Sequence, residues 1–269
     1  MKDASGFALA LPRPPRRIVS LIPSITETLC HLGLADALVG ITVYCVEPRA
    51  VVRGKTRIGG EKDPDLDAIR ALQPDLVIAN IEENVREHVD TLRSWDIPVW
   101  VTYPRTVAQS LAMIRELGEL TDTVARADAI LADLEPLYAR VRATTARRRL
   151  VPVFYPIWRT PWMTINADTY IHDLLAVCGA ANVFGDRPVR YPTVTLDEVA
   201  GRRPEVIVLP DEPFRFRRTH IQDFAPYADV PAVRAGRIHL VDGKPFSWHG
   251  PRLGEALLTL PPLFGAIDD

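Results

Sequence analysis

The sequence has few cysteines and no long hydrophobic run. Its 269 residues include three cysteines, Cys30, Cys45 and Cys178, which lie far apart and form no CxxC pair. This spacing argues against a zinc ribbon or a disulfide framework. The short apolar run Phe7–Leu11 ends at Pro12, whereas a secretory signal needs about 7–15 apolar residues and a membrane span about 20. As the sequence stands, we therefore expect a cytoplasmic protein without an export signal.

An excess of one charge is also lacking. The chain has 32 lysines and arginines against 34 aspartates and glutamates, which gives a formal net charge of -2. No overall basic field is present to attract nucleic acid or an anionic membrane. We therefore expect no nucleic-acid partner, and we expect a monomer.

Recognised catalytic motifs are missing as well. Gly54-Lys55-Thr56 resembles the end of a phosphate-binding loop, but Arg49 occupies the position where that loop needs a glycine. The sequence contains no nucleophile elbow, HExxH pair or dinucleotide fingerprint. We therefore predict that the protein is not an enzyme.

What the sequence does contain is an alternation of short β-like stretches with helix-like stretches. This alternation is typical of βαβ units and of a mostly parallel sheet. Ser24 and Glu27 have the spacing of a capping box, which predicts a helix from Ser24 to about Leu32. The predicted strands are Ile18–Leu21, Leu38–Ile41, Leu76–Ala79, Val99–Val101, Val151–Tyr155, Val206–Leu209 and Ile238–Val241.

One long stretch has uninterrupted helical spacing. From Thr121 to Arg148, apolar residues recur every three or four positions, which predicts a single helix that bends at Pro136. Strands and helices alternate on both sides of it. We therefore predict an N-terminal α/β lobe at residues 17–120, an interlobe helix at 121–149 and a C-terminal α/β lobe at 150–269.

A short pattern occurs in both predicted lobes. The stretch Leu66-Asp67-Ala68-Ile69 with Pro74-Asp75-Leu76-Val77-Ile78 aligns without gaps on Leu196-Asp197-Glu198-Val199 with Pro204-Glu205-Val206-Ile207-Val208. The pattern predicts the same short helix and buried strand in each lobe. A duplicated lobe and a merely shared helix-proline-strand pattern both explain it.

Large aromatic side chains stand outside the periodic core positions. Tyr44, Trp158, Trp162, Tyr191 and Trp248 lie beside prolines or at strand ends, and α/β sheets bind ligands at the carboxyl ends of their strands. Each ring would offer about 150–250 Å² of surface to a bulky ligand. The alternative is that some of these rings close the ends of the core.

Arginines near these rings complete the candidate ligand site. We predict that Arg159, Arg190 and Arg252 bind polar groups of the ligand, because a guanidinium pairs well with carboxylate or phosphate. The arginine cluster at residues 215–218 is a further candidate. The alternative for such a charge run is a solvated face.

Three residues have side chains of the kinds that bind metals. Cys45, Glu47 and His249 combine a soft thiolate with harder nitrogen and oxygen donors. Their spacing matches no known metal motif. A metal site at these residues and a purely structural role both remain open.

The order of several motifs around the long predicted helix resembles that of a known family. The chain is similar to the helical-backbone (class III) ABC-transporter substrate-binding proteins, which bind vitamin B12, haem or iron siderophores. The segments that carry the resemblance are Arg17-Ile18-Val19-Ser20-Leu21, Asp65-Leu66-Asp67, Val177-Cys178-Gly179, Asn182-Val183-Phe184 and Tyr191-Pro192.

The resemblance implies a fold and a function. It implies two Rossmann-like α/β lobes joined by one rigid helix, with a corrinoid, haem or ferric siderophore held in the interlobe cleft for an ABC importer. No covalent cofactor is implied. If the start of the sequence is incomplete, the resemblance implies a periplasmic or cell-surface location.

The resemblance also implies roles for individual residues. In the family, an acidic residue on each lobe docks onto arginines of the permease, and the matching positions are Asp67 and Asp197. Tyr44, Trp162 and Tyr191 match aromatic cleft positions of the vitamin B12 receptor type. Glu61 and Asn80 stand where that type has further aromatic residues.

A function from a different class remains as the alternative. Fold alone does not fix function, so the same architecture would also suit a cytosolic metal or cofactor handler, either a chaperone or an enzyme. Such a protein would bind metal through Cys45, Glu47 and His249.

Overall fold

A computed structural model of the chain describes residues 1–265. The chain divides into two compact units. The first comprises residues 1–104, 108–134 and 249–251, and the second comprises residues 105–107, 135–248 and the chain from 252 onward. Residues 266–269 of the predicted C-terminal lobe lie outside the described residues, and the predicted lobe boundaries stay a prediction.

The first unit is built on a five-stranded sheet. Its spatial order is β3-β2-β1-β4-β5, and all neighbouring strands are parallel. The order of the strands reverses between β1 and β4, and such a switch point opens a crevice at the carboxyl ends of the strands. The strands are β1 (Ile18–Ser20), β2 (Leu38–Ile41), β3 (Thr56–Arg57), β4 (Leu76–Asn80) and β5 (Val99–Thr102).

Helices connect these parallel strands, as βαβ topology requires. They are α1 (Pro23–His31), α2 (Arg49–Val52), α3 (Leu66–Ala71) and α4 (Arg86–Ser94), and a further helix, α5 (Val107–Leu120), follows β5. Both β1 and β4 are buried along their whole length, so they form the centre of the core.

The predicted capping box at the first helix is wrong. Helix α1 begins at Pro23 and its N-cap residue, Ile22, makes no side-chain capping bond. Proline is well suited to the first helical position, because its φ is already helical and it lacks the N–H that would go unpaired there. Ser24 therefore lies inside the helix.

The predicted long helix is present but shorter than expected. Helix α6 (Val124–Thr145) has 22 residues and is roughly 33 Å long at 1.5 Å per residue. It starts at Val124 because Asp122, with a φ of 57°, separates it from α5. Pro136 lies inside it, as predicted.

The second unit contains a four-stranded sheet and a small hairpin. The sheet order is β11-β10-β6-β9, all neighbours are parallel, and β7 and β8 form an antiparallel hairpin. The switch point here lies between β6 and β10. The strands are β6 (Val151–Phe154), β7 (Trp158–Arg159), β8 (Trp162–Met163), β9 (Ala180–Asn182), β10 (Val206–Pro210) and β11 (Ile238–Val241).

Short helices pack around this sheet. They are α7 (Tyr170–Val177), α8 (Leu196–Arg202), α9 (Pro231–Arg234), α10 (Lys244–Ser247) and α11 (Leu253–Thr259), with 3₁₀ segments at Arg218–Tyr227 and Pro261–Phe264. Helix α7 ends before Gly179, whose φ of 99° is left-handed, a conformation that glycine commonly supplies at the end of a helix. One core cluster of this unit is rich in phenylalanine and includes Phe154, Phe184, Phe216 and Phe224.

The predicted repeat is present in both units. Helices α3 and α8 are each followed by a strand, β4 or β10, in which all five residues are buried. The match extends to the backbone, because Gln73 and Arg203, each directly before a proline, have φ values of 47° and 49°. The prediction of two α/β lobes with mostly parallel sheets is confirmed.

None of the helices in residues 1–265 is long and apolar enough to cross a membrane.

Candidate functional site

The first unit has exposed apolar side chains at the carboxyl ends of its strands. Val43, Tyr44 and Val46 follow β2, and Ile81 follows β4; Tyr44 has 57% of its surface exposed and the other three 44–49%. We call these four residues the first apolar edge. Exposed apolar side chains at the carboxyl ends of parallel strands are candidates for ligand contact. The edge includes one predicted ring, Tyr44.

A buried asparagine ties together the segments near this edge. The Asn84 side chain accepts a 2.8 Å hydrogen bond from the Asn80 backbone N–H and donates a 3.0 Å bond to the Glu61 carbonyl. It also donates a 3.4 Å bond to the Leu21 carbonyl. Asn84 thereby joins the segments that follow β1, β3 and β4. Sequence reasoning missed it, because no pattern distinguishes it from other loop asparagines.

Cys45 lies under the first apolar edge and not at its surface. Its side chain is fully buried, and its Sγ accepts a 3.1 Å bond from the Thr26 hydroxyl and lies 3.2 Å from the Thr42 hydroxyl. Burial raises the pKa of the Cys45 thiol. The thiol is therefore a packed structural group, kept in the protonated form that binds metals poorly.

The predicted metal ligands are not brought together. Glu47 pairs with Arg49 at 3.5 Å, and His249 Nδ1 lies 3.2 Å from the Ser24 hydroxyl. Burial lowers the pKa of His249 to about 4. Among the residues that the structure describes, no three His, Cys, Asp or Glu side chains are arranged to hold a metal ion. Cys45, Glu47 and His249 therefore form no ligand set, because each is engaged by its own neighbours.

In the second unit, two predicted rings lie on the hairpin that follows β6. Trp158 is 42% exposed and meets Phe214 edge-on, with ring centroids 5.4 Å apart. Trp162 stacks on Phe216, with centroids 5.6 Å apart and an interplanar angle of 19°. One face of the Trp162 ring therefore packs against the core. This agrees with the alternative that some of these rings close the ends of the core. Trp158 offers more of its surface to a ligand.

The other two predicted rings present less surface. Tyr191 is half-buried, and the Arg190 guanidinium lies 5.7 Å from its ring centroid. Trp248 is only 7% exposed, and the Arg252 guanidinium lies 5.1 Å from its ring. Each ring is thus covered in part by one of the predicted ligand-binding arginines.

All three predicted arginines have a carboxylate partner. The pairs are Arg159 with Asp223, Arg190 with Asp168 and Arg252 with Glu255, at 2.7, 2.8 and 3.3 Å. The first is bidentate, with a second bond of 2.9 Å, and the Arg159 guanidinium lowers the pKa of Asp223. A ligand anion would have to compete with these carboxylates.

An open basin of about 590 Å³ lies at the carboxyl ends of β10 and β11. Its lining residues are Asp211, Arg215, Phe216, Arg217, Leu240, Val241 and Asp242. Within residues 1–265, neither Arg215 nor Arg217 forms an ion pair, whereas Asp211 accepts a 2.8 Å bond from the Gly243 N–H and Asp242 pairs with Lys244 at 3.4 Å. The basin therefore presents two arginine charges to a ligand, against the one carboxylate of Asp211 that no ion pair compensates in the described chain.

A buried tyrosine and a half-buried glutamate lie at the switch point of this unit. Tyr155, directly after β6, is fully buried, and within the described chain its hydroxyl has no hydrogen-bond partner. Glu212, shortly after β10, accepts a 3.0 Å bond from the Ser247 hydroxyl, and burial raises its pKa. Glu212 thereby anchors helix α10, which directly precedes Trp248.

The two aspartates of the repeat occupy equivalent places. Asp67 and Asp197 are the second residues of α3 and α8, and both are exposed. The N-cap residue of each helix, Asp65 or Thr195, accepts a bond from the backbone N–H three positions on. They differ in one respect, because the Asp197 carboxylate accepts a 2.9 Å bond from the Tyr227 hydroxyl.

Sequence comparison connects this architecture to known proteins. Residues 18–245 match the sequence model of a family described as periplasmic binding protein. A vitamin B12-binding protein of Photorhabdus laumondii is 27% identical over 205 residues, which cover 76% of this chain and 74% of that relative.

Solved structures show the same fold. The periplasmic vitamin B12-binding protein of Vibrio cholerae superimposes with a TM-score of 0.84 at 22% identity, over 94% of this chain and 98% of that one. A periplasmic haem-binding protein from Roseiflexus, in its apo form, gives 0.79 at 24% identity, over 93% and 97%. At these identities the structural likeness establishes the fold alone.

Proposed function

Because the chain belongs to the periplasmic binding protein family, we propose that it delivers a metal chelate, such as a corrinoid, haem or ferric siderophore, to an ABC importer. The resemblance to class III substrate-binding proteins is thereby confirmed, and the family consists of binding proteins and not of enzymes. Its relatives work in the periplasm, and we propose the same compartment for this chain.

The observation that carries the proposal is the first apolar edge, with Tyr44 more than half exposed at the carboxyl end of a parallel strand. An exposed ring at this position has no partner in the core to explain it, whereas a bulky planar chelate would cover it. Trp158 on the second unit has the same character. The second unit thus has an exposed aromatic surface of the same kind.

The basin supports a solute that carries negative charge. Arg215 and Arg217 line it, and a guanidinium binds carboxylates through two parallel hydrogen bonds. Haem carries two propionates, and many ferric chelators carry carboxylates. We therefore propose that an anionic chelate is preferred to a neutral one.

Titration of the purified protein with cyanocobalamin, haemin and ferric citrate tests the proposal, with absorbance and heat as the signals. We expect one of these to bind at micromolar concentration. Tyr44→Ala and Trp158→Ala should each weaken binding about tenfold, the equivalent of about 1.4 kcal/mol. Tyr138→Ala, on helix α6, is the matched control. No binding of any probe, or an equal loss in the control, would refute the proposal.

We further propose that Asp67 and Asp197 dock on an ABC permease. Two exposed carboxylates at equivalent positions of a repeated helix suit a partner that has two similar basic sites. Both lie in the first turn of a helix, so their charge is also compatible with the helix dipole. Their removal should therefore cost about 0.3–1 kcal/mol of stability each, separately from any loss of docking.

A photo-crosslinking amino acid at position 67 or 197, introduced in the native host, tests this docking. We expect the crosslinked partner, identified by mass spectrometry, to be an ABC permease subunit. The same probe at Asp128, an exposed position on helix α6, is the control. Capture of the permease from position 128 alone would contradict the assignment.

A further inference from the structure

A groove in the second unit lies apart from every residue assigned above. It has a volume of about 310 Å³ and runs between the second half of helix α6 and the last helical segments of the described chain. The lining residues are Leu137, Arg140, Val141, Thr144, Thr145, Arg148, Arg149, Val151, Cys178, Gly179, Leu257, Leu258, Pro261, Pro262 and Phe264. None of them belongs to the first apolar edge, the hairpin or the basin.

One face of helix α6 forms a wall of the groove. Its lining positions, 137, 140, 141, 144 and 145, follow the three- and four-residue spacing that places side chains on the same helix face. Among them, Val141 and Thr145 are buried. The Thr145 hydroxyl donates a 2.9 Å bond to the Val177 carbonyl. This polar group is therefore already satisfied within the protein and needs no ligand as a partner.

The floor of the groove is apolar. Val151, Leu257 and Phe264 are at most 5% exposed. Cys178 is also buried, and burial raises the pKa of its thiol to about 12. The thiol stays uncharged at neutral pH and packs as a small apolar group. Leu258, at 61% exposure, extends the apolar surface to the outside.

The rim of the groove is basic. Arg140, Arg148 and Arg149 are exposed, and Glu205 holds Arg149 through two bonds of 2.8 Å. Across residues 1–265, neither Arg140 nor Arg148 forms an ion pair. Two uncompensated positive charges therefore stand above an apolar floor.

We propose that this groove binds one free single-chain amphiphile with an anionic head, such as a medium-chain fatty acid. Its alkyl chain would lie on the apolar floor, and its carboxylate would bind Arg140 and Arg148. If a methylene takes roughly the volume of a water molecule, about 30 Å³, the groove holds about ten carbon atoms. It lies near the lower limit of about 300 Å³ for small-molecule pockets, which excludes a tetrapyrrole chelate.

Calorimetric titration with decanoate below its micellar concentration tests the proposal. We expect saturable binding of one molecule per chain. Affinity should rise from hexanoate to decanoate by up to about fourfold per methylene, the factor that corresponds to burial of one CH₂ group. Binding that does not depend on chain length would overturn the proposal.

Variants at the basic rim measure how much the arginine charges contribute to binding, separately from the apolar floor. Arg140→Gln combined with Arg148→Gln should weaken decanoate binding about tenfold or more, as expected for loss of charge-assisted hydrogen bonds. Arg142→Gln is the matched control, because Arg142 lies on the same helix but does not line the groove. Equal weakening in this control, or equally tight binding of decyltrimethylammonium, would refute the assignment.

Two further outcomes identify a different occupant. Co-sedimentation with vesicles containing anionic phospholipid, in the absence of decanoate binding, would make the groove a membrane contact. Decanoate binding that appears only in a variant ending at Gly265 would assign the groove to the last four residues of the chain. Either result would overturn the proposal. Because the probe is not a metal chelate, failure here leaves the proposed solute-binding function unaffected.

Discussion

The two units share a sheet type and a helix-strand repeat, yet they hold the segments at their strand ends in different ways. In the first unit, hydrogen bonds to backbone groups do this: Asn84 joins three segments, and the Arg57 guanidinium donates 2.8 Å bonds to the Thr42 and Cys45 carbonyls. In the second unit, ring contacts and ion pairs do it, as in the stacking of Trp162 on Phe216 and the pairing of Arg159 with Asp223. The repeat fixes the core, and the chemistry of the rim varies independently of it.

This difference has energetic consequences. Rings gain free energy from buried area, which is large and insensitive to salt. Buried amide hydrogen bonds contribute less in net terms, but the loss of one partner leaves other groups unsatisfied. Exposed ion pairs contribute least. The loss of stability should therefore be largest for a substitution at a ring, smaller at Asn84 and smallest at an exposed ion pair. We call the segments at the strand ends of each unit its rim, and this ranking distinguishes the two rims.

The largest effect should come from the ring cluster of the second unit. Phe216→Ala removes a side chain that is 4% exposed and is the stacking partner of Trp162. We expect a loss of about 3–5 kcal/mol in the free energy of unfolding, measured by urea denaturation. Phe7→Ala, which removes a ring that is 44% exposed, should cost less than about 1 kcal/mol. Similar losses in both variants would show that Phe216 is not a core residue.

The sequence predicted seven strands because most of them are buried and bounded by turns, whereas β3 and β9, which are short and more exposed, were missed. Two of the seven predicted strands have the observed bounds, Leu38–Ile41 and Ile238–Val241. The repeat was visible because α3-β4 and α8-β10 use the same residues for the same packing. Patterns of this kind depend only on residues that are close together in the sequence, so they can be recognised without a structure.

The rims were less predictable because their contacts join residues far apart in the chain. Arg159 and its partner Asp223 are 64 positions apart, so no local pattern reveals that this arginine is already paired. Hairpin β7-β8 has two residues in each strand, too few for a periodic signal. Asn84 owes its role to three carbonyl and amide groups brought to it by folding.

The second prediction concerns the hydrogen bonds that Asn84 makes at the strand ends of the first unit. Asn84→Ala should lower the free energy of unfolding by about 2 kcal/mol, because a buried N–H and two carbonyls lose their partner. It should also weaken chelate binding, since the first apolar edge loses its support. Thr91→Ala, a change at a half-buried position in the same unit whose hydroxyl donates to the Glu87 carbonyl of its own helix, should cost less than about 1 kcal/mol. Unchanged stability in Asn84→Ala would mean that water replaces the side chain fully.

The third prediction concerns the pH dependence of stability. His249 in the first unit and Glu212 in the second should affect it in opposite directions. Because burial lowers the pKa of His249 to about 4, the unfolded chain takes up this proton first, and stability falls as pH drops from about 6.5 to 4. Because burial raises the pKa of Glu212, the folded state takes up that proton first. The contribution of Glu212 to the free energy of unfolding therefore rises as the pH falls through its raised pKa towards the ordinary glutamate pKa of 4.5.

Denaturation of two variants between pH 4.5 and 7.5 measures these opposite slopes. Compared with the parent protein, His249→Gln should lose less stability on acidification and Glu212→Gln should lose more. For His249→Gln the difference should be about 2 kcal/mol over two pH units, since one unit of pKa shift corresponds to about 1.4 kcal/mol. For Glu212→Gln we expect a difference of the opposite sign. Differences from the parent that have the same sign in both variants would contradict the assigned directions.

The smallest effect should come from the ion pair that fastens the hairpin of the second unit. Asp223→Asn should cost at most about 1 kcal/mol, because the Arg159 side chain is 36% exposed and solvent screens the pair. Arg159 lowers the pKa of Asp223, so this contribution is complete above the ordinary aspartate pKa of 3.8 and is lost as pH falls below it. At about 1 M salt, where the Debye length is about 3 Å, the cost should disappear.

Asp186→Asn is a matched control for this pair, because Asp186 binds Arg202, whose side chain is also 36% exposed, and the hairpin is not involved. The two variants should lose similar stability and differ in binding, since only Asp223→Asn releases the Arg159 guanidinium beside Trp158. We expect it to bind a carboxylate-bearing chelate such as haemin more tightly than the parent does. If both variants bind haemin as the parent does, the charged rim of the second unit only supports the hairpin, and recognition of anions rests with Arg215 and Arg217.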